Sequence, residues 1–118
     1  TDLSLIQATL AGSKPALETL IKRHQDFIYT IAHKMVLSPF DAEDITQEVL
    51  IIMITKLSQF KAQSSFRTWL YRIVFNHTLQ MKKRRLETYI TDFDSYEKQL
   101  GEVRNEDLSL AEQLEHRE

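Results

Sequence analysis

Residues 64–86 read SSFRTWLYRIVFNHTLQMKKRRL, and this stretch decides the fold. With steps of about 100° per residue, its apolar side chains gather on one side of a helix. They are Phe66, Leu70, Ile73, Val74, His77 and Met81. The adjoining side carries Ser65, Arg72, Asn76 and Lys83, and the border carries Trp69 and Gln80. We therefore predict a helix from Ser64 or Ser65 to about Arg85, with one face in the core and one in solvent.

Two further helices are predicted at the start of the chain. Apolar residues between positions 3 and 10 give a short helix that stops at Gly12, a usual C-terminal stop. Ser13 and Pro15 then start a second helix. Its apolar positions follow the 3.6-residue period closely: Leu17, Leu20, Ile21, His24, Phe27, Ile28, Ile31, Ala32 and Met35.

A third helix is predicted from the capping pattern at Ser38 and Pro39 to about Ser58. One stripe faces the core: Ile45, Val49, Ile52, Met53 and Leu57. A second stripe mixes polar groups with two aliphatic side chains: Asp44, Gln47, Glu48, Ile51 and Ile54. One possibility is that Ile51 and Ile54 form an exposed patch ringed by polar groups, as partner sites do. The alternative is that the first helix or the C-terminal tail (residues 87–118) covers them.

The composition agrees with a helical domain of ordinary size. The chain has 118 residues, of which only two are Gly and two are Pro, so few tight turns are expected. The predicted fold class is all-α, a compact bundle of about four helices over residues 1–86. An acidic, partly helical linker, with a weak helix near 108–114, is predicted over residues 87–118.

Charge is distributed unevenly along the chain. Residues 61–86 contain seven basic residues and no acid, whereas residues 87–118 contain ten acids and three bases. The basic block indicates either a polyanionic partner or simply a solvated helix end. A further hypothesis is that the acidic tail lies across the basic helix and competes with such a polyanion as a phosphate mimic.

Several classes of function have no support in the sequence. There is no cysteine, and the four histidines lack metal-ligand spacing. No pair of nucleophile and base stands out, so we predict no enzyme, no metal and no cofactor. No apolar stretch approaches the ~20 residues of a membrane span, and the N-terminus lacks the features of a secretion signal. We expect a soluble, cytoplasmic protein without membrane insertion.

The predicted fourth helix carries groups suited to nucleic acid. Arg72 can form bidentate contacts to phosphate or guanine, and Asn76 can pair with adenine. Phe60 and Trp69 are either stacking platforms for an unstacked base or core residues. We expect His77 to be a packed core residue.

The start of this helix is unusual, because Arg67 occupies a turn that normally favours acids. Together with Ser64, Ser65 and free backbone N–H groups, Arg67 would form an anion site. The loop from Lys61 to Ser64 can then hold an extruded nucleotide.

Residues 41–49 (DAEDITQEV), Phe60 and residues 66–76 (FRTWLYRIVFN) together resemble region 2 of bacterial sigma factors, in particular the extracytoplasmic-function (ECF, group IV) type. The motifs occur in order at fixed spacing, and the resemblance covers about residues 3–86. It implies a helical domain that docks on the clamp helices of the RNA polymerase β′ subunit. It also implies recognition and melting of the promoter −10 element, with a non-template base captured in the loop after Phe60, and regulation by an anti-sigma factor.

The resemblance assigns roles residue by residue. The polymerase-binding surface would be Asp44, Gln47, Glu48, Ile51 and Ile54. The DNA-binding set would be Phe60, Lys61, Ser64, Ser65, Arg67, Trp69, Arg72, Asn76, Lys83 and Arg84, to which the helical angles add Gln80.

The chain departs from the family pattern at Ser13, Leu17 and Gln80, where Asp, Phe and Asp are common. Region 4, the helix-turn-helix domain for the −35 element, has no counterpart in these 118 residues, so the chain is either a fragment or a reduced relative. The alternative function is a sigma-like adaptor or decoy that binds polymerase or an anti-sigma factor without recognising a promoter.

Overall fold

Four α-helices and one short 3₁₀ turn make up the structure, a computed structural model that describes the backbone of residues 1–115 and the side chains of residues 1–101. The elements are α1 (Asp2–Leu10), α2 (Lys14–Val36), α3 (Pro39–Lys56), the 3₁₀ turn (Leu57–Gln59) and α4 (Phe66–Glu115). No strand occurs among residues 1–115, and the ambiguous run at 49–54 is helical, as predicted. The all-α class is confirmed.

Side-chain caps set the helix starts that the sequence predicts. The Ser13 hydroxyl accepts the Ala16 N–H at 3.2 Å, and the Ser38 hydroxyl accepts the Asp41 N–H at 3.3 Å. A proline follows each cap within two residues, where its fixed φ suits the first turn and its missing N–H costs nothing. After α1, Gly12 adopts φ +101°, which glycine reaches without strain.

The core lies in the first of two compact units, Thr1–Met81. It contains the predicted stripe of α3, except that Ile52 is half-buried, and half of the predicted apolar face of α4: Phe66, Leu70 and Val74 are buried, whereas Ile73, His77 and Met81 are half-buried. The core residues without exposed surface are Leu20, Ile28, Ala32, Ala42, Ile45, Val49, Met53, Leu70 and Val74. Thr78 is also fully buried and was not predicted there. Its hydroxyl donates to the Val74 carbonyl at 2.7 Å, which removes the cost of burying it.

His24 is buried at the α1–α2 contact, on the apolar face that the periodicity predicts. Its Nε2 lies 2.9 Å from Oδ1 of Asp2, and the same oxygen pairs with Arg23 at 3.2 Å. Within the described side chains, Nδ1 of His24 has no hydrogen-bond partner. The imidazole ring packs edge-on against Phe66, with 5.0 Å between centroids, so α1 is linked to the start of α4 through His24.

The fourth helix is longer than predicted. It was expected to end near Arg85, with a separate weak helix near 108–114, but α4 continues to Glu115, so the predicted end is wrong. The turn-forming residues after position 87 do not break it. Thr91 donates its hydroxyl to the Glu87 carbonyl at 2.9 Å, and Tyr89 stacks on Phe93, one turn later, at 6.3 Å.

A second compact unit begins at Lys82. The side chains of residues 82–99 are all exposed. The predicted domain boundary between residues 86 and 87 stays a prediction, and residues 116–118 of the predicted tail lie outside the described residues. Every helix in the described part of the chain is too short or too polar to span a bilayer.

Candidate nucleic-acid interface and partner surface

A pocket opens beside the segment that joins the 3₁₀ turn to α4. Its volume is about 340 Å³, and it is lined by Gln59, Phe60, Lys61, Gln63, Ser64, Trp69 and Arg72. This size lies at the lower end of the range for small-ligand pockets, roughly 300–1,000 Å³. The fold thus brings together five members of the predicted DNA-binding set. Gln59 and Gln63 were not in that set, although Gln63 lies in the loop that the sequence predicts to hold a nucleotide; the signal for Gln59 was a carboxamide directly before Phe60.

Aromatic rings connect this pocket to the core. The Phe60 centroid lies 5.3 Å from that of Phe66 and 5.5 Å from that of Trp69, and the Phe66–Trp69 distance is 5.4 Å. Phe66 is buried, as expected of a core residue, whereas Phe60 and Trp69 are half-buried. Phe60 and Trp69 therefore combine the two alternatives left open by the sequence, since each packs on the core and also lines the pocket.

The loop before α4 and the cap of α4 lie next to the residues that line the pocket. Ala62 adopts φ +55°, a left-handed conformation that L-residues rarely take. The Ser65 hydroxyl accepts the Thr68 N–H at 3.1 Å and lies 2.8 Å from the Thr68 hydroxyl. Ser65 therefore acts as the cap of α4, and this capping contact occupies one of the N–H groups that the predicted anion site required.

Arg67 does not join the pocket. Its guanidinium carbon lies 5.0 Å from the centroid of the Phe27 ring, in a cation–π contact. Arg67 lines a separate depression with Phe27, Thr68 and Tyr71. The cation in the first turn of α4, which opposes the helix dipole, thus has a structural partner on α2. Ser64 and Arg67 lie in different depressions.

The predicted polar face of α4 is exposed. Arg72, Asn76 and Gln80 recur every fourth residue, which places them on one side of the helix, and all three reach solvent. In the second unit, Lys83 and Arg84 are also exposed. The predicted DNA-binding set therefore contains four exposed cations besides Arg67: Lys61, Arg72, Lys83 and Arg84.

The mixed stripe of α3 is open to solvent. Ile51 is 64% exposed and Ile54 is 39% exposed, so α1 does not cover them. Asp44, Gln47 and Glu48 are exposed beside them. The structure thus supports the first alternative from the sequence, an apolar patch ringed by polar groups.

A hydrogen bond joins this stripe to α4. The Nε2 atom of His77 lies 2.5 Å from Oε2 of Glu48. His77 was predicted to be a packed core residue, but its side chain is only half-buried and its role is this contact between helices. Helical periodicity places each residue on a face but does not show which residue of another helix it meets, so the pair could not be predicted from the sequence.

A groove between α2 and α3 lies next to the stripe. Its volume is about 430 Å³, and it is lined by Gln25, Asp26, Tyr29, Glu43, Thr46, Gln47 and Leu50. Of these residues only Gln47 was predicted to belong to a site. The described residues contain no group of three or more potential metal ligands among His, Cys, Asp and Glu.

Comparison with known proteins places this geometry in a family. The model of the Sigma-70 region 2 family matches residues 20–88. The ECF RNA polymerase sigma factor SigW of Bacillus subtilis is 30% identical over 87 residues, which cover 74% of this chain and 46% of that protein. The ECF RNA polymerase sigma-E factor of Escherichia coli is 32% identical over 125 residues, which cover 97% of this chain and 64% of that protein.

A solved structure has a similar fold. It is an NMR structure of an engineered region 2 of sigmaE in complex with GTAAAA, with a TM-score of 0.64 and 33% sequence identity. The match covers 74% of this chain and 94% of that chain. The chain spans about one third to two thirds of the length of the curated relatives it matches. The match over residues 20–88, the helical bundle and the identity to ECF relatives lead to one conclusion: the chain belongs to the Sigma-70 region 2 family and is similar to region 2 of ECF sigma factors.

Proposed function

We propose that the chain binds the RNA polymerase core and recognises and melts the −10 element of promoters, as part of transcription initiation. The observation that carries this proposal is the pocket that combines two half-buried aromatic rings, Phe60 and Trp69, with the cations Lys61 and Arg72. The exposed line from Arg72 to Gln80 starts at that pocket. The similar engineered region 2 of sigmaE was solved in complex with GTAAAA, which supports a nucleic-acid ligand.

Melting requires that a base leaves its stack, which costs a few kcal/mol. Stacking on an aromatic side chain contributes roughly 1–3 kcal/mol per base, so Phe60 and Trp69 together can offset most of this cost. Arg72 and Lys61 neutralise phosphates beside the pocket, and the Asn76 carboxamide has the donor and acceptor geometry for adenine. No covalent step is needed.

The stripe of α3 is the proposed surface for the β′ clamp helices. Ile51 and Ile54 supply apolar contact area, and Asp44, Gln47 and Glu48 supply the polar rim that fixes orientation. We expect an anti-sigma factor to compete for part of these surfaces. Because the proposed partner is polymerase, the proposed site of action is the cytoplasm.

The DNA arm of the test measures fluorescence anisotropy with a labelled single strand that contains GTAAAA. We expect Arg72→Ala with Asn76→Ala to weaken binding about tenfold or more, since a phosphate contact and a base contact are lost together. Lys22→Ala with Lys34→Ala is the matched control, because both cations are exposed on α2 outside the proposed site. Equal affinity of the two double variants would reject the proposed DNA face.

The polymerase arm measures capture of the core enzyme by the immobilised chain. Ile51→Glu places a charge in the patch and should abolish capture. Leu10→Glu, an exposed apolar residue changed in the same way on α1, should leave it unchanged. If Ile51→Glu abolishes capture while the α4 variants bind DNA normally, the chain is the protein-binding adaptor instead.

A further inference from the structure

A row of large apolar side chains lies exposed on the second unit. Leu86, Tyr89, Phe93 and Tyr96 are 58%, 66%, 46% and 58% exposed, and Leu100 is half-buried. Four such residues on one helix face are more than the scattered apolar residues of an ordinary surface. None of them belongs to the proposed DNA-binding or polymerase-binding set.

Their spacing is that of a coiled-coil seam. The steps from Leu86 to Leu100 are three, four, three and four residues, so the five positions alternate between d and a of a heptad. In the sequence the same spacing continues backwards to Leu79 and forwards to Val103. Among the a and d positions of this series, Lys82 is the one polar residue. A narrow stripe of this kind matches one other helix, whereas docking on a globular body needs a wider apolar face.

The charges beside this row of apolar residues indicate which kind of helix can pair with it. Among residues 82–97, cations occupy the beginning and acids occupy the end. The flanking e and g positions include Lys83, Asp92 and Glu97. In a parallel pair of identical helices, Asp92 of each copy would face Glu97 of the other, which gives two like-charged contacts.

In an antiparallel pair, attractive charge contacts outnumber repulsive ones. With the two-fold axis near residue 91, Lys83 of each copy faces Glu97 of the other, and one like-charged contact remains, Asp92 with its own equivalent. We propose that the chain forms a homodimer through an antiparallel pairing of the second unit, with Leu86 of one copy packed on Tyr96 of the other. In this register Tyr89 packs on Phe93 of the other copy, and the two Ile90 side chains meet near the axis.

The oligomeric state of the 118-residue chain tests the proposal. Sedimentation equilibrium from micromolar to submillimolar concentration should show a reversible monomer–dimer equilibrium. Phe93→Glu should raise the dimer dissociation constant about tenfold or more, because it buries a charge in the seam. Thr91→Glu adds the same charge to an exposed position on the far side of the helix and should change it less than about twofold. A wild-type chain that stays monomeric throughout, or a dimer that both variants weaken equally, overturns the proposal.

Disulfide trapping tests the direction of the helices. The chain has no cysteine, so introduced thiols are the only ones present. When Leu86→Cys and Tyr96→Cys proteins are mixed and oxidised, an antiparallel pair gives mainly the mixed disulfide. Disulfides mainly between identical variants would indicate a parallel pair and would contradict the proposed arrangement.

Discussion

The salt dependence of DNA binding follows from the number of exposed cations at the proposed interface. Lys61, Arg72, Lys83 and Arg84 are exposed; Arg67 is exposed too, but it is left out of the count because its guanidinium is held over the Phe27 ring. For single strands, each neutralised phosphate contributes about 0.7 to the slope of log affinity against log salt concentration, so four contacts give a slope of about −2.8. Affinity for the GTAAAA strand should then fall about 50-fold between about 50 and 200 mM salt.

Removing two of these cations should halve the slope. Arg72→Ala with Lys83→Ala leaves two contacts, a slope of about −1.4 and a fall of about sevenfold over the same salt range. The assay is anisotropy of the labelled strand at four or more salt concentrations, and the control is Lys22→Ala with Lys34→Ala, which should keep the wild-type slope. The reasoning is refuted if the slope of the Arg72→Ala/Lys83→Ala variant equals that of the wild type, or if the control lowers the slope equally.

Three further changes have defined outcomes. Asp2→Ala removes the side-chain partner of buried His24 and should lower the free energy of unfolding by about 1–2 kcal/mol in urea titrations; an unchanged midpoint would show that the contact contributes nothing. Leu37→Gly should raise the free energy of unfolding by about 0.5–1 kcal/mol, because Leu37 is 80% exposed and is held at φ +57°, which glycine adopts without strain. A loss of stability would contradict that explanation. Truncation after Leu86 removes ten acids and three bases, and the loss of their repulsion should raise DNA affinity at low salt; equal affinities would exclude an effect of the tail on DNA binding.

Much of the fold could be predicted because its determinants are local. The caps at Ser13 and Ser38 fix the starts of α2 and α3, and the 3.6-residue period fixes which faces are buried. The end of α4 was not predictable in the same way. Threonine and aspartate favour turns on average, but in α4 the hydroxyl of Thr91 bonds within the helix and Tyr89 stacks on Phe93, and propensity does not include such contacts.

In the candidate site too, features set within one helix could be predicted and contacts between helices could not. The exposure of Arg72 and Asn76 follows from helical angles alone, and the structure agrees with it. The contact between Arg67 and Phe27, and that between His77 and Glu48, depend on how two helices pack against each other. The periodicity of one helix carries no information on its partner, so these contacts required the structure.

The most direct test of base capture uses Trp69, the only tryptophan in the chain. Because Trp69 lines the pocket, a base that stacks there should quench its fluorescence, and the quenching should saturate with the same midpoint as the anisotropy of the GTAAAA strand. Saturable quenching that Arg72→Ala with Asn76→Ala shifts to higher DNA concentration is the expected result. Binding of the strand at full affinity with unchanged Trp69 emission would show that DNA contacts the chain elsewhere and that the pocket does not capture a base.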